Sequence, residues 1–597
     1  MRNIRSRVVV VSALAAATAL CPAITASATP DTTPSAAADA DGAAIQRVDD
    51  RPDSQDAERR AGIEEAVAKV VRGEAAPVTK GGGKAVQVSP GQWAQYGLQS
   101  TDSILTFLVD FGDQKDSRYP TAPAGPVHNN IPEPDRTKDN STYWVDKFDR
   151  DHFQDMFFGA GESMSSVYSE MSSGRYTVTG DTSDWVKVPY NEASYGQTES
   201  ATDMRRFIQD SANAWYDQQK ATGKSDAEIT AYLQSFDKWD RYDYDKDGNF
   251  NEPDGYIDHF QAVHAGEGEE AGAPAWAIWS HRWSVNQTRN GGPSWNQNGG
   301  VKIGNTAFWI RDYTTEPENG GLGVFAHEFG HDLGLPDLYD TGGGENGTGF
   351  WTLMSSGSWL GHGTGSIGTT PNHMGAWEKL QLGWLDYATV AHDQQATLML
   401  GPSMHATKKE QAVIVTLPKD AAGKDRFYIA ENRQYAGYDA TLKTGPYNFG
   451  WSLTAPDQVE HFPYQDGLLV SYWNTAVSNN NTKAHPGTGR ILPVDARPDS
   501  LRWSDGTVAR NRIQSFDSTF GVDATDPISL HRETASGMTT LGVPAQAPVA
   551  VFDDSDPNRY YDAAANPGGS VKVAGVGVTI KVVQSNSTGK MTVKVNS

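Results

Sequence analysis

The residues best suited to chemistry form one short run that contains His327, Glu328 and His331, followed by Gly334 and Asp337. A helix brings residues four apart onto one face, so the two imidazoles can bind the same ion. Two imidazoles and a carboxylate suit zinc, and a fourth position left for water makes such a site catalytic. Glu328 is placed to act on that water as a general base. The run therefore predicts a catalytic zinc site.

The third zinc ligand is expected to follow a sharp turn. Gly334 can end a helix in the left-handed conformation, and Pro336 prevents the helix from resuming. Asp337 can then return to the metal, and this H-E-x-x-H-x-x-G-x-x-D spacing resembles that of the metzincins, with Asp where many members carry His. The competing ligand is Glu378, on a later predicted helix over residues 374–380. We favour Asp337, because a site completed by a later glutamate does not need the turn at Gly334.

A methionine follows the zinc motif at a distance that suits a supporting turn. Met354 lies in the Gly- and Ser-rich stretch 349–359. A methionine in a tight turn beneath the metal gives the ligands an apolar, polarizable floor. A lone methionine is more often ordinary core, but its position after the motif favours this Met-turn role.

A second metal site is predicted in residues 243–254, which fit the twelve-position calcium loop. Gly248 occupies the position of the sharp turn. Because the last position holds Asp rather than the usual bidentate Glu, Asp258 is an additional candidate. The expected ligands of one or more structural calcium ions are Asp243, Asp245, Asp247, the backbone carbonyl of Asn249, Asn251 and Asp254.

Composition limits the partners that the chain can have. It holds 50 Lys and Arg against 74 Asp and Glu, a formal net charge of -24 over 597 residues. Such a surface repels phosphate backbones, so nucleic acid is not an expected partner. The length is too great for one core and predicts about two or three domains.

Residues 1–28 have the pattern of a secretory signal peptide. Arginines precede an apolar run over residues 8–20 that is too short to span a membrane, and small residues before position 29 offer a cleavage site. Cys21 is the only cysteine, so cleavage after Ala28 leaves an exported protein without disulfides. No later segment is apolar enough to span a bilayer. We expect a secreted, extracellular monomer that acts on proteins or peptides and does not insert into membranes.

Residues 29–101 are predicted to be a propeptide with its linker, although a plain disordered tail is the competing interpretation. Residues 54–72 show the periodicity of an amphipathic helix. Glycines at residues 78–84 predict a flexible, protease-accessible linker. Without a thiolate, a carboxylate from about residues 49–56 or from elsewhere could block the zinc, or steric blocking alone could suffice. The sequence leaves these possibilities open.

The expected fold is α+β, with a two-lobed, metzincin-like zinc metallopeptidase domain over residues 102–388. Its predicted elements are strands at 104–111, 256–264 and 306–313 and helices at 199–219 and 226–236. Residues 389–597 hold short alternating apolar runs separated by turn residues, which predicts an all-β region of one or two sandwich-like units.

Taken together, these motifs resemble the immune inhibitor A-like family of secreted bacterial metallopeptidases. The resemblance rests on residues 327–340, 243–258 and 278–283 and on the turn at Met354, and it extends from about residue 102 to the mid-500s. It implies a propeptide, one catalytic zinc ion, calcium and an all-β C-terminal region.

The sequence thus predicts a zinc-dependent endopeptidase that hydrolyses internal peptide bonds of extracellular proteins, is made as a zymogen and is stabilised by calcium. A different hypothesis is an extracellular binding or adhesion protein in which the β-rich half does the work. Trp451, Trp473 and Trp503 would then be sugar-stacking surfaces. A metallopeptidase fold kept only as a scaffold is disfavoured by the intact Glu328.

Overall fold

The computed structural model describes residues 48–287, 290–404 and 410–597, together with the backbone of two short strands, Ala37–Ala38 and Ala44–Ile45. The predicted signal peptide, residues 1–28, and most of the chain before Val48 lie outside the described residues. Within the described part, no helix is long and apolar enough to cross a membrane.

The N-terminal segment, defined here as residues 48–95, folds onto the rest of the chain through helix α1 (Ser54–Val71). The side chain of Asp53 caps this helix by accepting hydrogen bonds from the backbone amides of Gln55 and Asp56. The apolar stripe is buried, including Val67 and Val71, which confirms the helix that periodicity predicted.

The prediction of a flexible linker over residues 78–84 is wrong. This stretch belongs to an antiparallel sheet in which Gly81 and Gly82, with φ of 52° and 88°, form the first turn. Small residues of the sheet, Ala85 and Ala94, are buried. Packing therefore holds this segment in one conformation, although its composition suggested flexibility. The strands are β1 (Val78–Lys80), β2 (Gly83–Ser89) and β3 (Gln92–Gln95).

A five-stranded sheet forms the centre of the next part of the chain. Its order is β5-β4-β6-β8-β7, with β7 antiparallel at one edge and the other four strands parallel. Parallel strands are buried on both faces, which explains the continuous apolar run that predicted the first of them. The strands are β4 (Thr101–Asp110), β5 (Thr177–Lys187), β6 (His259–His264), β7 (His281–Ser284) and β8 (Asp312–Pro317).

Helices cover both faces of this sheet, and alternation along β4 separates two cores. Leu105 and Phe107 face the core built with α4, whereas Ile104 and Leu108 face the core built with α2, α3, α6 and α7. The long helix predicted at 199–219 is confirmed as α4. The helices are α2 (Arg150–Phe158), α3 (Met164–Met171), α4 (Ala201–Ala221), α5 (Asp226–Leu233), α6 (Leu322–Leu333) and α7 (Ala376–Gln381).

The C-terminal region is rich in β-structure, as predicted. Two sheets, β9-β11-β12-β13-β14 and β10-β19-β18-β17, share one apolar core, and the hairpin β15–β16 packs against aromatic residues before α7. The strands are β9 (Tyr387–Val390), β10 (Gln395–Leu400), β11 (Ala412–Thr416), β12 (Arg426–Arg433), β13 (Gly467–Asn474), β14 (Ile491–Pro493), β15 (Ile528–Thr534), β16 (Gly537–Val543), β17 (Val551–Asp553), β18 (Thr579–Ser585) and β19 (Met591–Asn596).

Three tryptophans were candidates for a sugar-binding surface in this region. Trp473 and Trp503 are buried, and the indole of Trp473 donates a hydrogen bond to Glu64 of α1. Trp451 is partly exposed and stacks on His531. Two of the three are therefore core residues, which removes the feature on which the binding hypothesis depended.

Candidate metal centre

The two histidines of the motif lie one turn apart on α6, with their Nε2 atoms 3.0 Å from each other. Both side chains are buried. The Nδ1 atom of His327 lies 2.8 Å from the carbonyl oxygen of Leu353, and that of His331 lies 2.8 Å from the carbonyl oxygen of Leu335. A carbonyl can only accept, so Nδ1 carries a proton in each ring, and Nε2 is the nitrogen that each ring can offer to a metal.

Asp337 approaches the same point after the helix ends. Gly334 ends α6 with φ of 114°, and the chain then turns back. The Oδ1 atom of Asp337 lies 3.2 Å from Nε2 of His331 and 3.4 Å from Nε2 of His327. Neither oxygen of this buried carboxylate has a hydrogen-bond partner among the described residues. Three electron-rich atoms facing one another in a buried space fit a divalent cation with nitrogen and oxygen ligands.

Glu328 borders the same place. It lines a cleft together with His327 and Tyr339, and its Oε2 atom is buried without a hydrogen-bond partner in the described part of the chain. Burial, followed by the negative charge of Asp49, raises the pKa of Glu328 well above its usual range. A carboxyl group that borders the two imidazoles and opens to a cleft is placed as a general base requires.

Glu378, the competing ligand, lies away from the imidazoles. Its Oε1 accepts a hydrogen bond from the hydroxyl of Thr352 and another, 3.2 Å long, from the backbone amide of Gly375. It therefore caps the start of α7. The geometry brings Asp337, and not Glu378, to His327 and His331.

The turn that contains Met354 lies directly under α6. Met354 is fully buried, and a Cβ atom added to Gly330 would come within 2.5 Å of its sulfur. The turn also receives the backbone amide of Leu338, which donates to the carbonyl oxygen of Met354 at 2.8 Å. Leu353 in the same turn accepts from His327, so this turn holds one histidine and the chain segment after Asp337.

The acidic loop over residues 243–254 gathers some of its predicted ligands and not others. One carboxylate oxygen each from Asp243, Asp245 and Asp247 form one group, and Asp240, Asp245 and Glu252 form a second. Both groups carry closely spaced carboxylates, as a calcium site requires.

Two acids that were expected to complete this loop point elsewhere. Asp254 is buried and accepts from the backbone amide of Tyr256 at 2.9 Å, and Asp258 accepts from the amides of Lys238 and Trp239. Asn249 donates to Glu252, and Asn251 lies within 3.5 Å of the carbonyl oxygen of Gly81. Glu252, which does not stand at a ligand position of the twelve-residue calcium loop, faces the acidic group instead.

A carboxylate of the N-terminal segment reaches the metal centre, and it comes from residues 49–56, one of the sources of a blocking group that the sequence left open. Asp49, which is 6% exposed, contributes an oxygen within 4.8 Å of ligand atoms on His327, His331 and Asp337. Burial and then the charge of Asp337 raise the pKa of Asp49, while His327 lowers it. A cation between these carboxylates would relieve their repulsion.

Buried ion pairs hold the N-terminal segment against this centre. Arg282 on β7 is fully buried and lies 2.8 Å from Asp56 of α1 and 2.5 Å from Asp312 of β8. Arg60 of α1 pairs with Asp50 and donates at 3.1 Å to the carbonyl oxygen of His331. The segment thereby satisfies a backbone carbonyl in the last turn of α6. Sequence reasoning gave Arg282 no role, although it lies in the stretch 278–283 that carried the family resemblance.

Comparison with known proteins places this architecture among metallopeptidases. The family model described as Immune inhibitor A peptidase M6, catalytic domain, matches residues 91–385, and that of the Immune inhibitor A-like metallopeptidase VEG domain matches residues 421–594. Immune inhibitor A of Bacillus thuringiensis subsp. alesti is 36% identical over 318 residues, which cover 49% of this chain and 42% of that protein. Pre-pro-metalloprotease PrtV of Vibrio cholerae serotype O1 (strain M66-2) is 32% identical over 467 residues, 69% of this chain and 46% of that protein.

The class that the fold and site define is a metallopeptidase with a mixed α/β catalytic part followed by a β-rich region. More specifically, the chain belongs to the immune inhibitor A-like family. It spans less than half the length of the curated relatives it matches.

Proposed function

We propose that this protein is a secreted zinc-dependent endopeptidase that hydrolyses internal peptide bonds of extracellular proteins. The observation that carries the proposal is the convergence of the Nε2 atoms of His327 and His331 with an unpartnered carboxylate of Asp337. These residues would hold the metal, and a cleft that Glu328, Tyr339 and Asp49 line lies beside them. The metzincin plan, with Met354 as the floor, is part of the same proposal.

Glu328 performs the proton transfers in this proposal. When bound, zinc lowers the pKa of water and polarises the scissile carbonyl. Glu328 accepts the proton from the attacking water as the oxygen–carbon bond forms. It then delivers this proton to the amide nitrogen as the carbon–nitrogen bond breaks, which releases a carboxylic acid and an amine.

Synthesis as a zymogen is a further part of the proposal. Residues 1–28 would direct export, residues 29–101 would act as propeptide, residues 102–388 as catalytic domain and residues 389–597 as the β-rich region. The segment around Asp49 lies in the cleft where a substrate would have to bind, which supports inhibition by this part of the chain. One relative carries the name pre-pro-metalloprotease.

Calcium would stabilise the loop that carries Asp243, Asp245 and Asp247, with Asp240 and Glu252 close to it. Clustered carboxylates repel one another, and burial raises the pKa of Asp240 to about 7. An ion would remove this repulsion and link the loop to the turn at Gly81, which contacts Asn249.

Metal removal and replacement test both proposed ions at once. Treatment of the processed protein with EDTA is expected to abolish digestion of casein, and zinc is expected to restore it. Calcium alone should restore resistance to heat and self-digestion but not turnover. Turnover that survives complete removal of zinc, checked by elemental analysis, would contradict the proposal.

A further inference from the structure

The N-terminal segment enters the cleft as an added strand on the edge of the central sheet that β7 forms. The backbone amide of Arg282 donates to the carbonyl oxygen of Asp49 at 2.7 Å, and the amide of Arg51 donates to the carbonyl oxygen of Arg282 at 3.0 Å. Asp50 and Arg282 thereby form a parallel bridge. Edge strands accept extended peptides through such main-chain bonds, so the segment occupies a site suited to a peptide.

The anchors of this strand fix the side chain of Asp49. Pro52 and the α1 cap at Asp53 follow directly, and Asp53 pairs with the buried Arg311. Asp56, one turn later, is fully buried among arginines that include Arg282. Removing one partner of such a buried pair leaves the other charge uncompensated, so the segment cannot shift without losing strong interactions.

The two oxygens of Asp49 have different surroundings. Oδ2 lies on the metal side, 3.7 Å from Nε2 of His327. Oδ1 accepts a hydrogen bond from the hydroxyl of Tyr339, two residues after Asp337. The carboxylate therefore bridges the metal position and a hydroxyl donor.

We propose that Asp49 is a fourth protein ligand of the metal and holds the place of the reacting carbonyl group, and that Tyr339 becomes the donor to the oxyanion once Asp49 has left. This inference rests on the proposed function. A carboxylate with one oxygen on the metal side and one on a hydroxyl resembles the two oxygens of the tetrahedral species formed when water adds to a peptide carbonyl. With Asp49 in place, water and substrate have no access.

The chemistry that follows from this placement is limited to a hydrogen bond. Water adds to the carbonyl carbon, the carbonyl oxygen gains negative charge, and Glu328 holds the proton from water. Tyr339 donates a hydrogen bond to that oxygen and keeps its proton. The electron pair of the oxyanion then re-forms the carbonyl double bond as the carbon–nitrogen bond breaks and the nitrogen takes the proton from Glu328. A donor placed in advance where charge develops is typically worth about 10²–10³-fold in kcat.

The ligand role of Asp49 is tested in the full chain carrying Glu328→Gln, which prevents self-cleavage. The protein is loaded with Co²⁺, and its visible spectrum is recorded with and without acetohydroxamate, a small probe for an open coordination position. We expect no response while Asp49 is present. Asp49→Ala and Asp49→Asn should respond, and a chelator should extract Co²⁺ from Asp49→Ala at least about 10-fold faster, because even outer-shell partners are worth 10–100-fold in affinity.

A matched control removes a negative charge of the same segment without touching the centre. Glu58 is exposed on α1, so the Co²⁺ spectrum of Glu58→Gln should not change when acetohydroxamate is added. If acetohydroxamate alters the spectrum of the Asp49 chain as strongly as that of Asp49→Ala, Asp49 is not a ligand. Failure to bind any Co²⁺ would overturn the proposed function as well. Normal Co²⁺ binding with identical spectra, while the parent chain with Glu328 intact digests casein after processing, would overturn only this inference.

The role of Tyr339 is tested with Tyr339→Phe in chains with Glu328 intact, processed in trans by trypsin. We expect kcat to fall about 10²–10³-fold, with KM and metal content unchanged. Affinity for a phosphinic peptide, which imitates the oxyanion, should fall by the same factor as kcat/KM. Tyr313→Phe is the matched control, because this buried hydroxyl contacts His281 and not the metal centre. Equal phosphinate affinity in Tyr339→Phe and the parent would overturn the assignment.

Discussion

Replacement of Glu328 by glutamine is expected to lower kcat by about 10²–10⁴-fold, the usual contribution of a positioned general base. The amide keeps the volume of the side chain but cannot accept the proton from water. The metal should remain, because the ligand atoms lie on His327, His331 and Asp337. The measurement is the rate of peptide hydrolysis by the processed protein together with its zinc content.

A control must separate loss of the base from loss of a buried carboxylate. Glu378 is as buried as Glu328 but caps α7 away from the imidazoles. Glu378→Gln is therefore expected to retain turnover per folded molecule, with the folded fraction checked by circular dichroism. Glu328→Gln with full zinc content and the parent rate would contradict the role of the base.

The core of the candidate site was predictable because its geometry is local. The helical repeat alone brings His327 and His331 together, and the pair Gly334 and Pro336 forces the turn that returns Asp337. The neighbouring elements were found for a similar reason. Strand β4 contains a continuous apolar run, and helix α4 carries a strong apolar stripe.

Sequence reasoning offered residues 49–56 as one possible source of a blocking carboxylate, but it could not single out Asp49, because the position of Asp49 depends on contacts between distant parts of the chain. The strand pairing with β7 and the ion pairs of Asp56 join segments far apart in sequence. Acidic residues are abundant in this chain, so nothing local distinguishes Asp49 from its neighbours. Tyr339 was passed over for the same reason, since its partner was not known.

Two predictions made from composition and spacing were wrong because contacts in the folded chain determine the local structure. The glycines near residue 81 suggested a flexible linker, yet they form a turn between strands packed on the acidic loop. The calcium-loop rule assumes that a helix follows position twelve, but Pro253 and Gly255 surround Asp254 in this chain. Asp254 consequently turns toward the amide of Tyr256, and Glu252 faces the acidic group.

Asp337→Ala is expected to remove the metal from the processed protein and to abolish hydrolysis. The variant leaves two imidazoles, and a catalytic zinc site ordinarily needs three protein ligands. Zinc content after dialysis is the measurement, with Glu378→Gln as the variant that should retain one equivalent. The opposite result, zinc lost from Glu378→Gln and kept by Asp337→Ala, would assign the centre to the class completed by a later glutamate.

Zinc retention by the precursor of Asp337→Ala should differ from zinc retention by its processed form. If Asp49 is a ligand, the uncut Asp337→Ala chain still offers His327, His331 and Asp49, and it should retain zinc more tightly than its processed form. Adding Asp49→Ala should remove this difference, because precursor and processed protein then share two imidazoles only. Two acids from distant parts of the chain would thus substitute for each other at one ion, which follows from the position of both carboxylates beside the same pair of rings.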